Sequence, residues 1–293
     1  MDIETGKALH SVWRRRICGI TITDHNDIYK TENARDLLFW KDTWYTKDQI
    51  DSLKQDPHFE KYKELLDNNL DTLPNDLVSE HYNTNGDNIS HVYQLKCILD
   101  RFSLDLTRCN NILEFGGGYG NLCYNFYKYG YNNMYSFCEL EPILSMARSY
   151  LTKRGIDLGK INFKPKNDID YDLFCSFYAL SETNTDIRNT ILENTNYKRI
   201  IVGFQSRFRE IDNLEYFTNF TKKYTNYEWT IEKWFNEQNY LLVGIRKNNI
   251  VDTIQSEQQL VNELETERQR VVEAERQRVE AEAERQRLEA EAK

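Results

Sequence analysis

Residues 110 to 141 read N-N-I-L-E-F-G-G-G-Y-G-N-L-C-Y-N-F-Y-K-Y-G-Y-N-N-M-Y-S-F-C-E-L-E. An apolar run carrying an acid, Ile112-Leu113-Glu114-Phe115, enters a glycine cluster at Gly116, Gly117, Gly118 and Gly120. Helix-like spacing follows over residues 119–129, so the stretch predicts strand, tight turn, helix. Glycines belong at such a turn because the chain reverses sharply and its backbone approaches a ligand with no Cβ in the way. A second short apolar strand, residues 134–138, ends at Glu139. That is about twenty residues past the glycines, where nucleotide-binding α/β folds place an acid on a ribose. The spacing is Gly116-x-Gly118-x-Gly120 and not the G-x-G-x-x-G that cradles a pyrophosphate at a helix N-terminus.

Outward from this stretch, strands and helices alternate, which favours a parallel sheet. Strands are predicted at 111–115, 134–138, 161–163, 171–177, 199–204, 227–233 and 240–245, with helices at 119–129, 142–153, 185–195 and 211–224. The last two strands are separated by F-N-E-Q-N, too short for a crossover helix, so they pair as a hairpin or lie antiparallel. Upstream, apolar residues from Asn33 onward recur at helical intervals. Thr46 is an N-cap candidate for a helix reaching Leu53, and Pro57 and Pro74 bracket a further helical piece. Residues 75–90 read as loop, with Ser90 capping a helix from His91 to Phe102.

The E-x-G-x-G-x-G arrangement resembles motif I of class I methyltransferases, and five strands with helical crossovers followed by an antiparallel pair is similar to their seven-strand pattern. The segment D-L-F-C-S-F-Y-A-L-S-E (172–182), taken with I-L-E-F-G-G-G-Y-G and the pair Glu139-Leu140, resembles the sugar O-methyltransferase family over roughly residues 35 to 245. Phe39-Trp40 in the aromatic region upstream fits the same family. The sequence departs from that family's pattern in Glu139 for an Asp, Thr183 for a Met and Ser176 for an Asn. The resemblance implies an α/β fold, a Rossmann-like seven-stranded sheet that binds S-adenosylmethionine, with a helical N-terminal region and a C-terminal helical extension.

The expected organisation is a mainly helical substrate or lid region at 1–104, a cofactor-binding domain at 105–249, and a charged helical tail at 250–293. Residues 254 to 293 hold eleven Glu, six Arg and one Lys, with E-R-Q-R recurring at 267, 275 and 284. Those starts keep no heptad and apolar positions are sparse, so a solvated single helix and a self-associating coiled coil are both compatible with the tail.

A formal net charge of −9 removes the electrostatic footprint expected of a nucleic-acid binder. Six cysteines without C-x-x-C or zinc-finger spacing predict reduced core residues. Neither a signal peptide nor an apolar run of membrane-spanning length is present, and the expectation is a soluble, cytoplasmic protein.

Methyl transfer from a sulfonium is an in-line displacement that needs an aligned acceptor oxygen, excluded water and a route for a proton. The cofactor residues implied are Glu114, Gly116, Gly118, Tyr119, Gly120, Glu139 and Leu140, with Asp168 and Ser176. Glu139 suits both ribose hydroxyls because a carboxylate accepts two hydrogen bonds side by side; the bland alternative is a strand-end acid in solvent. Asp168 is placed for the adenine amino group, although Asn167 serves as well and a plain turn acid is an equal reading. Ser176, Tyr178, Ser181 and Glu182 are expected where the fourth strand runs out at the ligand-binding edge. Glu182 is the first candidate general base for a hydroxyl acceptor, then His81, then His91; Glu182 otherwise holds loop backbone or the methionine amino group. The expected activity is O-methylation of a sugar or glycan hydroxyl. The alternatives are another small molecule or a protein side chain as acceptor, or a methyltransferase-like domain serving as a tethered interaction module. No metal-ligand cluster is evident.

Overall fold

The computed structural model describes residues 41–43, 45–67, 75–165, 169–193 and 196–247, together with residues 268 and 270. The chain divides into two units, Met1–Ile245 and Arg246–Lys293. Trp40, Trp44, Asn167, Asp168 and nearly all of the acidic tail lie outside the described residues.

The described helices are α1 (Thr46–Lys54), α2 (Phe59–Leu66), α3 (Gly86–Phe102), α4 (Asn121–Tyr129), α5 (Glu141–Lys153), α6 (Thr185–Glu193) and α7 (Asn213–Lys223). The main sheet is built from β1 (Asn111–Phe115), β2 (Met134–Cys138), β3 (Ile161–Asn162), β4 (Leu173–Phe177), β5 (Arg199–Gln205), β6 (Tyr227–Trp234) and β7 (Asn236–Arg246). Two small ribbons flank it: Asp170–Tyr171 pairs parallel with Asn196–Tyr197, and Arg207–Phe208 pairs antiparallel with Ile211–Asp212.

The seven strands lie in the order β6-β7-β5-β4-β1-β2-β3. β1 pairs parallel with both β2 and β4, β2 with β3, and β4 with β5. β7 runs antiparallel to β5, with Tyr240 opposite Phe204 and Ile245 opposite Arg199. The sheet is therefore Rossmann-like: its parallel strands are those the alternation predicts, and the reversed strand agrees with the antiparallel pairing expected of the short last connection.

Near-continuous apolar strands follow from cover on both faces. Ile112, Leu173, Cys175, Ile201, Leu241 and Val243 face one core, which also holds Leu122 and Phe126 of α4 and Met146 and Leu151 of α5. The alternate residues Leu113, Phe174, Ile200, Val202 and Leu242 face a second core, closed by Ile191 of α6 and Phe217 and Phe220 of α7. The first core continues without a break into Ile50 and Leu53 of α1, Leu65 of α2 and Ile89, Val92 and Leu95 of α3. The described helices before the sheet are thus packed into the same interior as β1.

Several boundaries differ from the sequence expectation. Thr46 is the first residue of α1 and not its cap; Tyr45 holds the cap position, and the Thr46 Oγ1 accepts the Thr43 N–H at 2.7 Å. α3 begins five residues before His91, because the Asn85 side chain caps it by accepting from the Asn88 N–H at 2.8 Å. Ser90 is consequently inside the helix, where its Oγ accepts from Gln49 Nε2 at 3.2 Å. The glycine turn takes up Tyr119, and Gly120 caps α4. The strand expected at 240–245 starts at Asn236, so β6 and β7 are joined through Phe235 alone, at φ +65°.

Candidate functional site

In an open α/β sheet the ligand edge lies beyond the carboxyl ends of the parallel strands. At the end of β1 the chain passes through Gly116, Gly118 and Gly120 with φ of +76°, +54° and +91°, values L side chains rarely adopt. The turn is tied to β2 by the Gly116 N–H, which donates to the Cys138 carbonyl at 3.0 Å. A Cβ at position 116 would sit 1.9 Å from the Cβ of Ala179, so the glycine turn and the segment after β4 are in direct contact.

Glu139, at the end of β2, turns its carboxylate back to the same turn. Its Oε2 accepts the Gly118 N–H at 3.2 Å, and its Oε1 accepts the Leu140 N–H at 2.8 Å. Burial pushes its carboxyl up to about 7 against the lowering effect of those two N–H groups. Glu114 is buried beneath the turn, where its Oε2 accepts the Tyr135 hydroxyl at 2.9 Å. Burial raises its carboxyl to about 8 against that bond, with the Glu139 charge adding to the rise.

Tyr119 is buried, and its hydroxyl donates to Asp87 Oδ2 at 2.5 Å. Asp87 Oδ2 also lies 3.4 Å from His91 Nδ1. Asn121 Nδ2 meets Asn88 Oδ1 at 2.9 Å and His91 Nδ1 at 3.0 Å, while the Tyr150 hydroxyl donates to Asn121 Oδ1 at 2.6 Å. The start of α3 is stitched to the glycine turn by buried polar side chains, which are affordable inside a protein only when paired. Asp87, Asn88 and Asn121 were not legible as site residues, because nothing local marks a polar residue whose partner is thirty positions away.

After β4 comes Tyr178 at φ +68°, whose N–H donates to the Gly203 carbonyl at 2.7 Å. A short 3-10 turn, Ala179–Glu182, follows. Ser176 is fully buried and its Oγ accepts the Leu180 N–H at 3.1 Å, so the hydroxyl is engaged by the turn it precedes. Ser181 is also fully buried, its Oγ lying 2.7 Å from the Tyr178 carbonyl and 3.0 Å from Gln205 Oε1. Gln205 Nε2 in turn donates to Glu182 Oε1 at 3.1 Å. The turn is fastened from below by Arg188 of α6, which is fully buried. Its Nε donates to the Thr183 carbonyl at 2.9 Å, its Nη1 to Asn213 Oδ1 at 2.8 Å and its Nη2 to the Ser181 carbonyl. Burial lowers the guanidinium to about 10, which leaves it a cation at neutral pH.

The structure therefore brings Gly116, Gly118, Gly120, Tyr119, Glu139, Leu140 and Glu114 together around one turn, and sets Ser176 and Glu182 in the segment against it. His91 joins this assembly through Asp87 and Asn121. His81 is exposed in the loop before α3, where its N–H donates to Ser79 Oγ at 3.1 Å. Asp168 lies outside the described residues. Among the described residues no helix is long and apolar enough to cross a membrane, and no three His, Cys, Asp or Glu side chains group as a metal site.

No family model matches the chain. No curated protein matches it either. Among solved structures, the methyltransferase domain of bacterial CtHen1 is similar at 14% identity and TM-score 0.42, covering 52% of this chain and 95% of that one. A SAM dependent methyltransferase from Aquifex aeolicus is similar at 13% identity and TM-score 0.39, covering 52% of this chain and 88% of that one. Magnesium protoporphyrin IX methyltransferase from Synechocystis, solved with bound SAM, is similar at 11% identity and TM-score 0.40, covering 69% of this chain and 97% of that one.

Proposed function

We propose that this chain is an S-adenosylmethionine-dependent O-methyltransferase that methylates a hydroxyl of a sugar or glycan. The observation that carries the reading is the Glu139 carboxylate folded back to the Gly118 N–H at the end of two adjacent parallel strands. A glycine cradle facing a strand-end carboxylate fits the cofactor: backbone can approach its methionine part, and the two carboxylate oxygens match a ribose diol. When bound, the cofactor supplies a methyl group on a sulfonium.

The chain's own residues would do the rest. Glu139 holds the ribose by accepting both hydroxyls, and Gly118 keeps a side chain out of the ligand's path. Glu182, in the segment that touches the turn, takes the proton of the acceptor hydroxyl. Gln205 and the Arg188 clamp hold that carboxylate in place. Acceptance of a proton by a positioned carboxylate is ordinary general-base chemistry.

Calorimetry tests the cofactor half of the proposal. S-adenosylmethionine and its demethylated product, S-adenosylhomocysteine, should both bind, and Gly118→Val should abolish both by placing a side chain where backbone meets ligand. Unchanged binding by folded Gly118→Val protein would remove the turn from the site. Transfer of labelled methyl to nucleotide sugars, glycans and peptides then tests the acceptor class.

A further inference from the structure

Two bulky aromatic residues of this chain occupy backbone conformations that favour glycine: Tyr178 at φ +68° and Phe235 at φ +65°. Such a position strains a side chain of this kind, and such strain gathers at functional sites. Both rings meet the same tryptophan. Tyr178 stacks on Trp234 with centroids 6.0 Å apart, and Phe235 lies 4.4 Å from it. Tyr45, at the start of α1, stacks on Phe235 at 4.9 Å with the planes 12° apart. Tyr178 and Phe235, remote in sequence, thus meet on Trp234, and Tyr45 joins them through Phe235.

The location is as telling as the strain. Tyr178 directly follows the last residue of β4. In the β7 register Asn239 already faces Gln205, the last residue of β5, so the residues before Asn239, Phe235 among them, project beyond the carboxyl edge of the sheet. Ala179, next to Tyr178, is the residue that touches the glycine turn, and Glu182 lies three further on. Trp234 is only 5% exposed, whereas Tyr45, Tyr178 and Phe235 are half-buried.

We propose that Tyr45, Tyr178 and Phe235, backed by Trp234, form the subsite that receives the ring of the acceptor, a neutral sugar lying with its apolar face on the aromatic rings and a hydroxyl toward Glu182. The subsite rests on the methyltransferase reading above. Aromatic faces carry negative quadrupole charge and attract the polarised C–H groups of a sugar's apolar face. The Glu182 carboxylate beside them disfavours an anionic ring.

The experiment is saturation-transfer NMR on the full chain with S-adenosylhomocysteine bound, using the methyl glycosides of glucose, galactose and mannose as probes. Saturation should reach the axial ring protons of at least one glycoside. Phe235→Gly, which fits φ +65° without backbone strain, should keep the S-adenosylhomocysteine affinity of the folded protein near wild type and weaken the glycoside signal about tenfold, the scale of one lost aromatic contact. Tyr178→Phe, which keeps the ring and removes only the hydroxyl, should weaken it less than Phe235→Gly does. No transfer to any of the three glycosides in protein saturated with S-adenosylhomocysteine overturns the subsite and leaves the cofactor site standing. So does an undiminished signal from folded Phe235→Gly. If the wild-type chain binds no S-adenosylhomocysteine, the methyltransferase reading itself falls and the subsite falls with it.

Discussion

Gly116 and Ala179 touch so closely that a Cβ on residue 116 would lie 1.9 Å from the Ala179 Cβ. The contact joins the turn after β1 to the turn after β4, and it works only because one side has no side chain. Gly116→Ala should destabilise the protein through both the collision and the positive φ, by roughly 2–4 kcal/mol in total. Ala179→Gly in the same chain removes the collision but not the φ penalty, so the double variant should recover part of the loss. Denaturant unfolding of the four proteins of this cycle measures the coupling, and additive losses would show that the two residues do not meet.

Cofactor affinity should depend on pH through Glu139. Its carboxyl is raised to about 7 by burial, so near neutrality the free protein is divided between the neutral and ionised forms. Two ligand hydroxyls donating to it favour the ionised form, so binding releases a proton and tightens as pH rises. The dissociation constant of S-adenosylhomocysteine should be about tenfold weaker near pH 6 than near pH 8. Glu139→Gln should bind weakly at both pH values and lose the dependence. A wild-type affinity that is flat over this range would detach Glu139 from the ligand.

For Glu182 the expected result is a split between turnover and binding. Glu182→Gln keeps the shape but removes the basicity, and should lower turnover on a sugar acceptor by roughly a hundredfold while S-adenosylmethionine affinity is retained. If affinity collapses while turnover at saturation survives, Glu182 is a cofactor ligand and the base is to be sought at His81.

Glu114 sets a stability profile of its own. Its carboxyl rises from 4.5 in the unfolded chain to about 8 when buried. The folded state therefore binds more protons between these values, and stability falls as pH rises through the window and levels off above it. The slope is at most about 1.4 kcal/mol per pH unit for one group. Glu114→Gln can still accept the Tyr135 hydroxyl and carries no charge, so its thermal midpoint should fall less than that of wild type between about pH 5 and about pH 8. Parallel pH profiles for the two proteins would refute the assignment.

The sheet was legible because its strands are apolar on both faces: Ile112 and Leu113 read as core whichever way the strand is turned. The glycine turn and Glu139 were legible for the opposite reason, being local exceptions to that pattern. What escaped the sequence was polar structure with distant partners. Asn85, Asp87 and Asn88 read as loop, yet all are buried, with Asp87 bonded to Tyr119 and Asn88 to Asn121. Nothing in the sequence marks Arg188, because its burial depends on carbonyls of Ser181 and Thr183 that the folded turn presents to it. The β6–β7 connection was misjudged because Asn236, Glu237 and Gln238 look like loop residues but belong to the projecting end of a strand. The left-handed backbone of Tyr178 and Phe235 left no trace in the sequence at all, since residue type there argues against it.

The reversed strand has a consequence for how the chain can be made. β7 is last of the described strands in chain order, yet it lies inside the sheet between β5 and β6. Until residues 236–246 have been synthesised, β5 presents a bare edge whose residues Ile200, Ile201, Val202 and Phe204 are buried in the finished protein. An open apolar edge invites pairing with any other strand within reach. A nascent, nicked or shortened chain lacking those residues should therefore aggregate through residues 199–205 rather than persist as a smaller folded unit.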